Sequence, residues 1–114
     1  MFSTGNRTCF FNNIVKKEYV EKNPLTVLES VYAVIVDRMK NPKEDSYTNA
    51  VMEKGIDEIL KKLGHECTEI ILAAKNPDSD DLKFEISDFM YHCMILMAQK
   101  NITWAEIAGE LAQR

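Results

Sequence analysis

Glu66 and Glu69 form one acidic pair, and Glu85 and Asp88 form a second at the same three-residue spacing. On a helix, residues three apart are neighbours, with Cβ atoms about 5–6 Å apart. Each pair therefore presents two carboxylates on one face. Between them, within "ECTEIILAAKNPDSDDLKFEISD", the run "KNPDSDD" interrupts any helix. Helices joined by so short a break usually pack antiparallel, which would bring four carboxylates together. Two unit charges 4 Å apart near a protein surface repel by about 4 kcal/mol, so such a cluster is unfavourable without a cation. Hard carboxylate oxygens suit Mg²⁺ or Mn²⁺, and Mg²⁺ held this way usually also holds substrate phosphates. The chemistry implied is metal-assisted phosphoryl or pyrophosphoryl transfer. A lone E-x-x-E is more often just a solvated helix face, and two can flank a turn by coincidence. On pattern alone both readings stand.

Other residues fall near these pairs. Lys62 precedes Glu66 by one turn, and His92 follows Asp88 by one turn. Lys62, Lys75 and Asn76 are candidates for phosphate contact, although a lysine near a helix C-terminus also suits the helix dipole. Tyr47 and Thr48 either touch substrate or simply start a short helix. His92 either reaches a phosphate or supports the carboxylates from behind.

The elements that must position these groups are helical. Asn23-Pro24 suits a helix start, and Leu28, Val31, Val34, Ile35 and Met39 recur at helical spacing up to "KNPKEDS". A short helix is predicted from about Ser46 to Lys54, with Gly55 as its C-terminal punctuation. From Ile56 to Lys75 the stripe is Ile59, Leu63, Cys67, Ile70 and Ala74. Asn76-Pro77 stops that helix, and Ser79 or Asp80 caps the next, which runs to about Lys100. Its stripe is Leu82, Ile86, Phe89, Cys93 and Met97, widened by Met90 and Met94 into core or subunit interface. Thr103 with Glu106 is a capping-box signature, and Trp104 would pack the last helix down. Residues 1–22 differ, with turn residues and a weakly strand-like aromatic and β-branched run.

At 114 residues the length fits one domain. Eighteen acidic against 14 basic side chains argue against a nucleic-acid surface. No run approaches the roughly 18 apolar residues of a membrane helix, and the N-terminus lacks a signal-peptide pattern. Three widely spaced cysteines do not suggest a disulfide framework. A reduced, cytoplasmic protein that touches neither nucleic acid nor membrane is expected.

The segment "SYTNAVMEKGIDEILKKLGHECTEIILAAKN", followed by "FEISDFMYH", resembles the phosphoribosyl-ATP pyrophosphatases of histidine biosynthesis. These belong to the all-α, MazG-like nucleoside triphosphate pyrophosphohydrolases, whose signature is E-x-x-E, a linker, then E-x-x-D. The resemblance covers about residues 25 to 113. It implies an all-α domain of four to five helices, 23–114, completed as a bundle by dimerisation. It implies Mg²⁺-dependent hydrolysis of phosphoribosyl-ATP to phosphoribosyl-AMP and pyrophosphate, with Glu66, Glu69, Glu85 and Asp88 as metal-holding catalytic residues. Tyr47, Thr48, Lys62, Lys75, Asn76 and His92 are the substrate-binding candidates. Where the family reads G-E-E-x-x-E, this chain has Gly64-His65-Glu66, so an imidazole replaces an acid. The start "STGNRTCFF" resembles the end of phosphoribosyl-AMP cyclohydrolase, which is often fused ahead of the pyrophosphatase. Phe2 and Ser3 stand where that family has Cys and His, so Cys9 alone makes no zinc site. Residues 1–22 read as the leftover of a fused domain or linker. The rival readings are a house-cleaning nucleotide pyrophosphohydrolase and a catalytically inactive assembly module.

Overall fold

The structure, a computed structural model, describes residues 23–114. The strand-like segment, the cyclohydrolase-like leftover and Cys9 fall in residues 1–22, outside the described residues. Among the described residues the fold is all-α, with five helices and no strand. They are α1 (Thr26–Lys40), α2 (Tyr47–Lys54), α3 (Ile56–Ala73), α4 (Asp80–Lys100) and α5 (Trp104–Ala112). None is long and apolar enough to cross a membrane.

Local chemistry sets the boundaries. The Asn23 side chain accepts from the Leu25 N–H at 2.9 Å, so a tight turn through Pro24 leads into α1. Ser46 caps α2 by accepting from the Asn49 N–H at 3.2 Å. Gly55 ends α2 and starts α3 at φ 98°, a conformation that disfavours any residue with a Cβ. The cap of α4 differs from expectation: Ser79 makes no side-chain cap, and Asp78 instead accepts from the Asp80 N–H at 2.9 Å. Thr103 and Glu106 form the expected capping box on α5. Trp104 ties α5 to α1 through an indole N–H donated to the Leu28 carbonyl at 3.2 Å. The Tyr32 hydroxyl adds a second tie, donating to the Ile102 carbonyl at 2.6 Å.

The core gathers Ile35 of α1, Val51 of α2, Ile59 of α3, and Met94, Ile95, Met97 and Ala98 of α4. Fully burying one such side chain contributes about 1.5–3 kcal/mol. Helix α4 is therefore the central element, and α3 packs back along it as the other arm of a helical hairpin.

The predicted stripes of α3 and α4 differ from the faces that are buried. On α3, Ile59, Glu66 and Ala73 are hidden, whereas Cys67 and Ala74 are exposed. On α4, Glu85, Asp88 and His92 continue the buried line, while Ile86 is exposed and Leu82, Phe89 and Cys93 are half-buried. The carboxylates face inward, and much of the apolar stripe faces out.

Candidate metal centre

Glu66 lies seven residues after Ile59 and seven before Ala73, two helical turns in each direction. The three therefore share one line, and the packing that buries Ile59 and Ala73 also buries Glu66. On α4, Glu85, Asp88 and His92 share a line for the same reason. The reversal between α3 and α4 sets the two lines against each other.

Glu66, Glu85 and Asp88 are 2%, 6% and 6% exposed. Each offers one oxygen within 4.8 Å of the others. Two buried oxygens, Glu66 Oε1 and Glu85 Oε1, have no hydrogen-bond partner. A buried carboxylate oxygen left this way is costly. Burial raises the Glu85 carboxyl above its ordinary range, the charges of Glu66 and then Glu69 raise it further, and a hydrogen bond shared with Glu66 adds to this. These are the features expected of hard ligands gathered for a cation. Buried acid oxygens without donors fit a divalent ion better than they fit a structural ion pair, since no lysine or arginine among the described residues pairs with Glu66 or Glu85.

Glu69 stands at the rim. Its side chain is 28% exposed, and one oxygen lies 3.5 Å from His65 Nε2. Three of the four expected carboxylates thus converge, while the fourth sits on the wetter edge and acts on Glu85 through its charge.

The other candidates lie at varied distances from the cluster. His92 is fully buried, with Nδ1 2.8 Å from the Asp88 carbonyl and Nε2 2.9 Å from the Tyr47 hydroxyl. Thr48, 1% exposed, shares a hydrogen bond with the Tyr91 hydroxyl. The Tyr47, Tyr91 and His92 rings pack together, with both tyrosines edge-on to the imidazole. Lys62 reaches back to Glu58 at 3.6 Å rather than forward to Glu66. Lys75 is exposed in the α3–α4 turn, where Asn76 donates to Asp81 at 3.1 Å.

Sequence reasoning passed over Asn49. Its amide donates to the Arg38 carbonyl at 2.8 Å and accepts from the Lys43 N–H at 3.0 Å. It thereby fixes the loop before α2 and so the placement of Tyr47 and Thr48. The "SYTN" run is the signal that points to it.

Similarity to known proteins bears on the family of this chain. The family model described as phosphoribosyl-ATP pyrophosphohydrolase matches residues 28–114. The chain is 51% identical over 90 residues to a phosphoribosyl-ATP pyrophosphatase of Clostridium novyi, covering 79% of this chain and 82% of that protein. A phosphoribosyl-ATP pyrophosphatase of Bacillus cereus is 47% identical over 93 residues, covering 82% of this chain and 84% of its own length. A histidine biosynthesis bifunctional protein HisIE of Caldanaerobacter subterraneus is 43% identical over 111 residues, covering 97% of this chain and 53% of that protein. The chain thus spans about half the length of its bifunctional relatives and most of the length of the others. The match over residues 28–114 and the coverage of these shorter relatives place the chain in the phosphoribosyl-ATP pyrophosphohydrolase family.

Proposed function

We propose that this chain hydrolyses phosphoribosyl-ATP to phosphoribosyl-AMP and pyrophosphate, a step of histidine biosynthesis that would take place in the cytoplasm. The observation that carries the reading is the buried trio Glu66, Glu85 and Asp88, with two acid oxygens lacking partners, in a chain of this family. These three, with Glu69 at the rim, would hold Mg²⁺ or Mn²⁺. Such an ion supplies positive charge against the triphosphate and against the charge that develops as the anhydride breaks.

The products require the anhydride link between the α- and β-phosphorus atoms to open: water adds to one of the two phosphorus atoms, the P–O bond from that atom to the bridging oxygen breaks, and pyrophosphate is released. The chain's own residues would divide the remaining work. Glu66, Glu85 and Asp88, all buried, would form the dry side of the site. Glu69 and His65, more exposed, would form its wet edge, where water enters. Lys62, Lys75 and Asn76 would meet phosphate oxygens, and Tyr47 and Thr48, at the start of α2, would bound the nucleotide on the other side. Residues 23–114 would suffice for this activity.

The exposed apolar surface supports a homodimer. Ile56, Leu60 and Ile71 on α3 are 38%, 47% and 62% exposed, and Ile86 on α4 is 41% exposed. Ile56, Leu60 and Ile71 recur on one side of α3, and with Ile86 they would offer apolar surface that a second copy covers as a helical bundle in a homodimer. The bifunctional relatives match 97% of the chain and therefore include residues ahead of 28, which the shorter relatives cover less fully. Residues 1–22 would then be the junction with a cyclohydrolase part, either fused or separate.

The test is ³¹P NMR of phosphoribosyl-ATP, ATP and dATP incubated with the purified protein and Mg²⁺. Phosphoribosyl-ATP should give phosphoribosyl-AMP and pyrophosphate. Equal or faster cleavage of ATP or dATP would contradict this specificity, and inertness toward all three would contradict the activity.

A further inference from the structure

One pair of ligand-capable side chains stands beside the buried trio without belonging to it. His65 and Glu69 lie one turn apart on α3, with Nε2 3.5 Å from Oε2. Their side chains are 52% and 28% exposed, so solvent reaches both. Ligand atoms each about 2.0–2.2 Å from one ion lie roughly 2.8–3.6 Å apart at octahedral or tetrahedral angles. The pair stands at that separation. It also adjoins the trio: Glu66 lies between the two in sequence, and the charge of Glu69 reaches Glu85 across the hairpin. Glu66 Oε1 and Glu85 Oε1 are buried there without a hydrogen-bond partner.

Charge balance favours more than one cation. When Glu66, Glu69, Glu85 and Asp88 are all ionised they carry four negative charges, of which one divalent ion offsets two. Lys62, one turn before Glu66, pairs with Glu58 at 3.6 Å instead. We propose that His65 and Glu69 form a second cation position at the rim of the trio, and that its imidazole nitrogen makes this position select a transition ion such as Co²⁺ or Mn²⁺ over Mg²⁺. Mg²⁺ takes oxygen ligands in a near-ideal octahedron and gives up its waters reluctantly. An imidazole suits transition ions, and affinity rises from Mn²⁺ to Co²⁺. The deep position, built of carboxylates alone, keeps its preference for hard ions, with Glu69 serving both. The inference rests on the trio as a cation site and not on which nucleotide is cleaved.

The test uses the chelator-treated full chain and the metals alone. The chain has two histidines. Both ring nitrogens of His92 lie within hydrogen-bond distance of other groups, so an imidazole on the metal reports His65. Electron spin-echo envelope modulation of protein saturated with Mn²⁺ should show ¹⁴N coupling to the ion. That coupling should vanish in His65→Gln and persist in Asp88→Asn, which weakens the deep position only. By isothermal titration, His65→Gln should weaken Co²⁺ at the rim at least about tenfold, the scale even of a supporting contact in a metal site, and leave Mg²⁺ within threefold. If the parent shows no ¹⁴N coupling, or His65→Gln keeps both the coupling and the Co²⁺ affinity, His65 merely pairs with Glu69 along α3 and the inference fails. Loss of the coupling in Asp88→Asn as well would place the imidazole on the deep ion and remove the second position. If the parent protein is inert toward phosphoribosyl-ATP, the proposed function fails, while the spin-echo measurement still decides the role of His65.

Discussion

Replacing Glu85 by glutamine should make the metal-free protein more stable and the enzyme far less active. Glu85 is 6% exposed and offers an oxygen within 4.8 Å of oxygens of both Glu66 and Asp88. At an effective dielectric constant near 20, each unit-charge pair at that separation repels by roughly 3.5 kcal/mol. Glutamine removes two such pairs, but the whole sum is not recovered. The native cluster can relieve itself by protonating Glu85, and at pH 7 that costs at most about 3.7 kcal/mol for a carboxyl of ordinary pKa near 4.3. The gain is therefore capped there, and about 1–3 kcal/mol is expected once partial hydration is allowed for. For a chain of this size that corresponds to about 4–8 °C in Tm per kcal/mol. The assay is thermal unfolding of chelator-treated parent and Glu85→Gln at pH 7, paired with the rate of pyrophosphate release in millimolar Mg²⁺. A Tm rise of at least about 4 °C with an activity loss of about 100-fold is the expected outcome. A destabilised variant with near-normal turnover would refute the reasoning, because Glu85 would then be a structural acid with a partner of its own.

The remaining predictions concern pH, assembly and capping. Because Glu85 titrates above its ordinary range in the folded chain, its ionised form is penalised only when folded. That deficit is present above the folded pKa and vanishes below the unfolded one, so the Tm advantage of Glu85→Gln over parent should shrink to almost nothing by about pH 4; an advantage independent of pH would count against the electrostatic origin. Ile71→Glu with Ile86→Glu, at positions 62% and 41% exposed, should leave helicity intact and halve the mass seen by sedimentation velocity, and an unchanged mass would show that the apolar hairpin face is not the subunit contact. Thr103→Ala removes the α5 capping box and should lower stability by about 0.5–2 kcal/mol, read by urea unfolding, without altering turnover.

Much of this architecture was legible because helix ends are written in local chemistry. Ser46, Gly55 and Thr103 mark their boundaries by side-chain acceptors and backbone freedom that operate within four residues. The acidic spacing was legible for the same reason, since three-residue intervals fix which side chains share a face. What failed was the assignment of inside and outside. Hydrophobic periodicity points the stripe Ile59, Leu63, Cys67, Ile70 and Ala74 of α3 toward a core. The fold buries Ile59 of that stripe but leaves Cys67 and Ala74 exposed, and it buries Glu66 in line with Ile59 instead. Nothing within a single helix distinguishes a stripe meant for its own core from one meant for a partner. Tertiary ties were hidden as well. The bond from Tyr47 to His92 spans 45 residues, so the spacing that set His92 beside Asp88 could not say what its second nitrogen would meet. Lys62 shows the limit from the other side: it has two acidic neighbours at four-residue spacing, Glu58 and Glu66, and only the packing around buried Glu66 leaves Glu58 as its partner.

Pyrophosphate release from phosphoribosyl-ATP by chelator-treated protein, followed as Mg²⁺ is added back, tests most directly whether the buried carboxylates hold the ion on which turnover depends. Release should be at background in chelator, rise to a plateau with Mg²⁺ or Mn²⁺, and stay at least about 100-fold lower at the same metal concentrations in Asp88→Asn. Undiminished release in chelator, or an Asp88→Asn protein that reaches the parent plateau, would contradict it.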